Sequence, residues 1–474
     1  MIKRQIGVDF GTTTSVMHYV DYDGSGKIIR ESYVPFEGAD NRSVPTVILP
    51  AGENVDKRGR SKKNNEYWGW KAYNKTELHK FICSEFKIGL LSQDEEIKNQ
   101  SKQLTQKFFQ FLYQQYEDTT EAMADQITTY VTYPSQFPDS VRNFLQQAAK
   151  DAGFPNVQML TEAEAAMYYT LNIDTSKKAK VLDQFKGRKI NVMLADLGGG
   201  TTDIAIYSYD LTGGNDHRLL GFYPKSGEKG FGGAEVDRLL CNFLHDLILT
   251  KTGEDVYQTL GEQDLEFGRL RLNQSVKPWK DTTLSTDLGE NEAVYTLPVA
   301  LLFLNIRIDI DRDVLEKDVL HEYLPIFPKL VNGALLAAGL TGEDIDVVML
   351  TGGHSRWYFV TDMLLGKNGT INLPKIKQSN GQRIITFGTN AQMVVARGAA
   401  KYGIVETKPV LSKPVLSKPV PPKPVPPKPP IERRAWQDNM EKTAIKFFNS
   451  SAGVKTTEKL AEKIGNALQK FLRF

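Results

Sequence analysis

Apolar positions follow two rhythms along this chain. Runs of strand length come in pairs: Ile6 to Phe10 with Ser15 to Val20, and Ile190 to Ala195 with Ile204 to Tyr209. Each pair is joined by a short Gly/Thr-rich turn that opens on an aspartate, so each predicts a β-hairpin. Elsewhere the apolar positions recur at helical spacing. Residues 96–117 predict a polar helix with Leu104, Phe108, Phe111 and Leu112 on one face, and 138–152 predict a second. The second half repeats the plan: strands 190–195 and 202–209, helix 233–250, a long helix 313–338, strand 346–350, and helices 355–366 and 389–402. Val299 to Ile306, after Pro298, reads as a short buried strand. A repeated order of hairpins and helices predicts an α/β fold of two lobes, each with a mixed sheet, facing each other over a cleft. Ligands in such sheets bind at strand ends, where loops converge.

Two polar stretches, Gly52 to Glu66 and Asp174 to Lys189, read as solvated surface insertions. From Lys408 the pattern changes abruptly. Lys-Pro-Val-Leu-Ser occurs twice, then Lys-Pro-Val-Pro-Pro twice, ending at Lys428-Pro429-Pro430. Proline at this density excludes helix and central strand. It predicts a polyproline II spacer with a reach of roughly 70 Å at ~3.1 Å per residue. The Pro-x-x-Pro spacing also suits an aromatic-groove partner. Two amphipathic stretches follow. Trp436, Met440, Ala444 and Phe447 share a face in 432–448. Leu460, Ile464, Leu468, Phe471 and Leu472 share one in 457–474, opposite Lys459, Lys463, Lys470 and Arg473. A helical hairpin or a protein-docking segment is expected, and a basic amphipathic helix also suits peripheral contact with an anionic membrane. The predicted divisions are lobe I over 1–186, lobe II over 187–404, the proline-rich linker over 405–430 and a helical segment over 431–474.

Charge sharpens this division. The whole chain carries +2, but residues 405–474 carry fourteen Lys/Arg against six Asp/Glu, leaving residues 1–404 at −6. An acidic body argues against nucleic acid as the main partner. No apolar run approaches the ~20 residues needed to span a membrane. Met1-Ile2-Lys3-Arg4 leads straight into the first strand, leaving no room for a signal peptide. Cys83 and Cys241 are far apart with no neighbouring His cluster, which argues against a metal site and for a reduced compartment. The cytoplasm is the expected location.

The chemistry lies in the two turns, Asp9-Phe10-Gly11-Thr12-Thr13-Thr14 and Asp196-Leu197-Gly198-Gly199-Gly200-Thr201-Thr202-Asp203. Glycine lets backbone approach a ligand, and successive N–H groups in a turn form an anion nest. An aspartate at the strand end holds a cation directly or through water. Two such hairpins suggest a clamp on a polyphosphate and its Mg²⁺.

These segments resemble the actin-like ATPase superfamily, and within it the DnaK-type seventy-kilodalton heat-shock chaperones. Further matches follow in order. They are Val131-Thr132-Tyr133-Pro134-Ser135-Gln136-Phe137, Ala148-Ala149-Lys150-Asp151-Ala152-Gly153-Phe154, Thr161-Glu162-Ala163-Glu164-Ala165-Ala166, Leu350-Thr351-Gly352-Gly353-His354-Ser355-Arg356 and Gly398-Ala399-Ala400. The resemblance implies a two-lobed actin-like fold that binds ATP or ADP with Mg²⁺ and hydrolyses ATP. It implies Asp9, Asp196 and Glu162 around Mg²⁺, through water. Gly11, Thr12 and Thr13 would hold phosphates from one lobe, and Gly198, Gly199, Gly200 and Thr201 from the other, with Gly232 and Gly233 behind. Lys277, Gly352, Gly353, Ser355 and Arg356 would flank the adenosine. Lys87, Glu162, Asp196, Thr201 and Asp203 would carry catalysis, with Asp203 or Glu162 orienting the attacking water. Pro134 and Arg142 align with the family's proline switch and relay arginine, and His354 reads as structural.

The departures also matter. The base-contacting helix keeps Lys277 but has Gln274, Pro278 and Asp281 where the family has other polar residues, and Gly232-Gly233 is followed by Ala234, with Glu235 one place later. Beyond residue 404 the resemblance ends, with no counterpart to the acidic-leucine linker or the β-sandwich peptide-binding domain. A chaperone-like nucleotide switch whose tail contacts a protein partner is the leading expectation. A filament-forming ATPase of the plasmid-segregation type and a small-molecule kinase of the same superfamily remain as alternatives.

Overall fold

The structure is a computed structural model. It describes residues 1–37, 42–55, 61–75, 82–120, 124–172, 180–212, 217–223, 232–261, 265–288, 295–299, 306–367 and 369–404. The chain divides into two units at Thr407/Lys408. The tail stretches at 432–448 and 457–474 and the proline repeat lie outside the described residues.

Both predicted hairpins form. Lys3–Asp9 pairs antiparallel with Thr14–Tyr22, and Lys189–Leu197 with Thr202–Asp210. Their central residues are buried on both faces, which explains continuous apolar runs rather than alternation. Each hairpin nucleates a sheet of the same plan. In lobe I the order is Val157–Thr161, Gln126–Tyr133, Lys3–Asp9, Thr14–Tyr22, Ile28–Tyr33. In lobe II it is Ile384–Thr386, Val347–Thr351, Lys189–Leu197, Thr202–Asp210, His217–Tyr223. In both, the three strands on one side run parallel and the rest antiparallel. The duplication suggested by the sequence is thus a duplication of topology, and the fold is the two-lobed α/β architecture expected.

Each lobe has its own core. In lobe I, Phe10 packs against Phe86, Phe108 and Phe109 with ring centroids 5.1–6.1 Å apart. This ties the first turn to the helix Glu95–Thr119, whose N-terminus Asp94 caps by accepting the N–H groups of Glu96 and Ile97. A third core joins both sheets through the helices Glu162–Asn172 and Val394–Lys401. The two helices touch closely: a Cβ at Gly398 would stand 1.9 Å from the carbonyl oxygen of Ala165.

Three expectations need correction. Residues 313–338 are not one helix. A short turn at Arg312–Val314 runs into a π-helical segment, Leu315–Val319, and the helix proper is Ile326–Ala338. Pro325 lacks an N–H and restricts Leu324 before it, so the helix restarts there. Val299 to Ile306 is not one strand: Tyr295–Val299 pairs antiparallel with Ile306–Ile310, and Val299 faces Ile306 across the ladder. The Gly52 to Glu66 stretch contains a hairpin, Gly52–Val55 with Ser61–Asn64. Its apolar content is too low to signal strands by pattern.

Candidate functional site

The turns of the two hairpins meet. In lobe II, Gly198 donates its N–H to the Thr201 carbonyl at 2.8 Å, closing the turn. The helix Gly233–Thr252 then begins on its back, with Gly233 and Ala234 donating to the carbonyls of Gly198 and Gly199 at 3.1 and 2.7 Å. Two glycines are required by close approach. A Cβ at Gly199 would fall 2.4 Å from the Thr13 hydroxyl across the cleft, and one at Gly232 would fall 2.6 Å from the Gly199 carbonyl. Thr12 likewise lies against Gly200. The two turns therefore meet face to face, Thr12 and Thr13 against Gly200 and Gly199.

Acidic side chains and a lysine converge beside these turns. Lys87 and Glu162 form an ion pair at 2.7 Å, with the lysine side chain 3% exposed. Lys87 sits in the short helix Phe86–Gly89, between the rings of Phe10 and Phe137 at 5.7 and 5.8 Å. Glu85, just before it, has φ 56°, the left-handed region that a side chain resists. That turn aims Lys87 inward from the Phe10 cluster. Asp9, Asp196 and Asp203 stand at the turn ends of their strands and interact electrostatically with the pair. Burial pushes the Asp196 carboxyl up to about 7 and that of Asp203 up to about 8; the negative charge of Glu162 adds to both and Lys87 offsets part of the rise. Asp9 is held well above the usual carboxylate range for the same reasons, burial first. Gln136 donates its amide N–H to Asp203, and the Thr132 hydroxyl reaches toward Asp9 at 3.4 Å.

The third wall is the turn after Val347–Thr351. Gly352 has φ 79°, and a Cβ there would lie 2.7 Å from an Asp196 carboxylate oxygen. Ser355 is buried and donates its hydroxyl to the Gly352 carbonyl at 2.7 Å. Gly353 faces Gln392, and Arg356 is half-buried. His354 is buried and lies 2.6 Å from the Tyr323 hydroxyl, which donates to the Gly232 carbonyl at 3.0 Å. Burial and the nearby Lys280 and Lys277 lower its pKa to about 3, so the ring is neutral. This chain of bonds braces the Gly232 turn, and its tyrosine comes from the break before Ile326 that the helical pattern concealed.

The structure brings Thr12 and Thr13 against Gly200 and Gly199, Lys87 against Glu162 and Gly352 against Asp196, while Lys277 stands on the helix Leu265–Trp279. It is half-exposed and pairs with Asp281 at 3.4 Å and Asp237 at 4.0 Å. The deeper cation is Lys280, 2.5 Å from Asp237. Sequence reasoning passed over Lys280, Gln136, Tyr323 and Thr351. Gln136 lies within a segment already singled out for other reasons, whereas Lys280 and Tyr323 carry no local signal. The Thr351 hydroxyl, on the strand beside Asp196, is buried and faces that carboxyl, whose rise it offsets in part. Pro134 accepts the Phe137 N–H at 3.0 Å in the same turn as Gln136, and Arg142 pairs with Asp139 at 3.1 Å on an exposed face.

Comparison with known proteins decides the family. The profile described as Hsp70 protein matches residues 78–412. The chain belongs to the Hsp70 family. It is similar to the protein named Chaperone protein DnaK of Thermosipho melanesiensis, 24% identical over 400 residues, covering 83% of this chain and 59% of the relative. It is similar to the DnaK of Thermosipho africanus, 25% identical over 353 residues, covering 74% and 52%, and to that of Methanothermobacter thermautotrophicus, 27% over 274 residues, covering 56% and 41%. This Hsp70-family chain therefore spans about two to three fifths of the length of these relatives. Among its described residues no helix is long and apolar enough to cross a membrane.

Proposed function

We propose that residues 1–404 bind ATP or ADP with Mg²⁺ between the two glycine-threonine turns, hydrolyse ATP slowly, and close their lobes as a conformational switch. The observation that carries this is the set Asp9, Glu162, Asp196 and Asp203 around a single lysine, beside two turns that meet through Thr12, Thr13, Gly199 and Gly200. Burial raises the Asp9, Asp196 and Asp203 carboxyls, the charge of Glu162 adds to the rise, and the single ammonium of Lys87 offsets only part of it. A divalent cation restores their ionised form. Mg²⁺ takes oxygen ligands and gives up water reluctantly. An all-oxygen donor set fits it. Among the described residues no three His, Cys, Asp or Glu side chains gather closely enough to ligate one ion, which suits an ion held through its water by Asp9, Asp196 and Glu162.

When bound, Mg²⁺ neutralises charge on the phosphate oxygens. The chain's own residues do the rest. Gly11, Thr12 and Thr13 hold the terminal phosphates from lobe I. Gly198, Gly199, Gly200 and Thr201 hold them from lobe II, and Gly232 and Gly233 support that turn. Gly352, Gly353, Ser355 and Arg356 flank the adenosine, with Lys277 at its edge. Lys87 meets the charge that grows on the γ-phosphate in the transition state. Asp203 or Glu162 orients the attacking water and takes its proton; a raised pKa at Asp203 suits a base working near neutrality. Cys83 and Cys241 form no disulfide with each other, which suits the cytoplasm, and the basic tail supplies a contact for a protein partner.

Two measurements test this reading. Lys87→Ala should retain nucleotide binding while turnover falls at least ~10²-fold, since the lysine acts mainly in the transition state; turnover at the unmutated rate would refute the assignment. Small-angle scattering should show a more compact 1–407 unit with saturating Mg²⁺ and ATP than without, because a ligand gripped from both lobes selects the closed state. An unchanged profile counts against the switch.

A further inference from the structure

At the ends of the lobe II strands opposite the nucleotide cleft, four basic side chains surround a concavity of about 440 Å³. Arg188 and Lys189 enter at the start of Lys189–Leu197, Lys375 from Pro374–Gln378 and Arg383 just before Ile384–Thr386. Asp346 is the one acid lining it, and it is already engaged: one oxygen holds Lys375 at 2.7 Å and the other accepts the Asn191 N–H at 3.0 Å. Lys189 leans out toward Asp210 at 3.4 Å. The two guanidiniums differ. Among the described residues no carboxylate pairs with Arg188 or Arg383. Arg383 lies 5.2 Å over the Phe185 ring, which fixes its plane and leaves its in-plane donors available.

We propose that this concavity binds a phosphate-bearing anion. Two unpaired guanidinium forks and an anchored lysine call for at least two negative charges concentrated in one group. A carboxylate satisfies one fork, whereas a phosphate dianion presents a tetrahedron of acceptors to both. The site stands apart from the nucleotide reading and does not depend on it.

The test is local hydrogen exchange on the full chain at constant ionic strength, with three probes: inorganic pyrophosphate, a neutral peptide carrying one phosphoserine, and citrate. Pyrophosphate or the phosphopeptide should slow exchange severalfold in segments 183–190 and 375–384. The stronger of the two identifies the source as a free phosphoanion or a modified protein. Arg188→Ala with Arg383→Ala should abolish that protection while leaving the response of segments 9–14 and 196–203 unchanged. Arg188 is exposed, so Arg188→Ala alone serves if the double variant fails to fold; it should weaken the protection severalfold. Absence of protection, protection that survives these variants, or equal protection by citrate would overturn the assignment.

Discussion

Asp203 and Asp196 carry the sharpest consequence at the scale of single residues. Their folded pKa values, about 8 and about 7, lie above the ordinary carboxylate value. The nucleotide-free fold therefore binds more protons than the unfolded chain across that interval, and the stability these groups contribute is lost as pH rises from about 4 through about 8. Asp203→Asn removes one of the crowded charges. Its nucleotide-free form should melt higher than the parent, by about 1–2 °C for each kcal/mol gained in a chain this long, and its melting temperature should fall less between pH 6 and pH 8. Turnover should drop at least ~10²-fold in the same variant. Differential scanning calorimetry across that range checks the first two, and a lower melting temperature at pH 8 would show that Asp203 is not under electrostatic strain. Stability and function pull in opposite directions here, as expected where charge is held in place for a ligand.

At the scale of elements, the helices Glu162–Asn172 and Val394–Lys401 join the lobes. The first starts with Glu162, so the acid paired with Lys87 sits on an element shared by both sheets. The second packs against the first where Gly398 meets Ala165 backbone at a distance no Cβ tolerates. Gly398→Ala must push the helices apart. Overpacking of this kind costs about 1–3 kcal/mol or more, read as a fall in the urea midpoint. Its second effect should be weaker nucleotide binding, since the Glu162 end moves relative to Asp196. A variant with unchanged midpoint and affinity would mean that the contact relaxes freely.

The molecule as a whole is an acidic body joined to a basic, proline-rich tail, and the division at Thr407/Lys408 coincides with the change in composition. Proline repeats do not pack into a core. Deleting residues 408–474 should leave the thermal melt and basal ATP turnover of the body within error and remove capture of whatever protein the tail recognises. Aggregation of the truncated chain, or loss of nucleotide binding, would make the tail part of the fold instead.

Much of this was legible in the chain itself. An apolar run, a glycine-threonine turn and a second apolar run, occurring twice, determine the hairpins, because strands buried on both faces need continuous apolar residues and the turns between them need glycine. Asp9, Asp196 and Asp203 could be picked out for the same local reason: they stand where strand becomes turn. What remained hidden depends on distance in sequence. The helical pattern over 313–338 outweighed Pro325, so the Tyr323 brace on Gly232 could not be foreseen. Lys280 looked no different from Lys277 until the fold buried one and left the other half-exposed. The shifted acidities arise only when Asp9, Lys87, Glu162, Asp196 and Asp203, spread over some two hundred residues, share one desolvated space. Local pattern determines which segments become strands and turns, since backbone geometry and burial act on neighbours. Tertiary structure alone decides which charges face each other, since desolvation and Coulomb energy depend on separation in space.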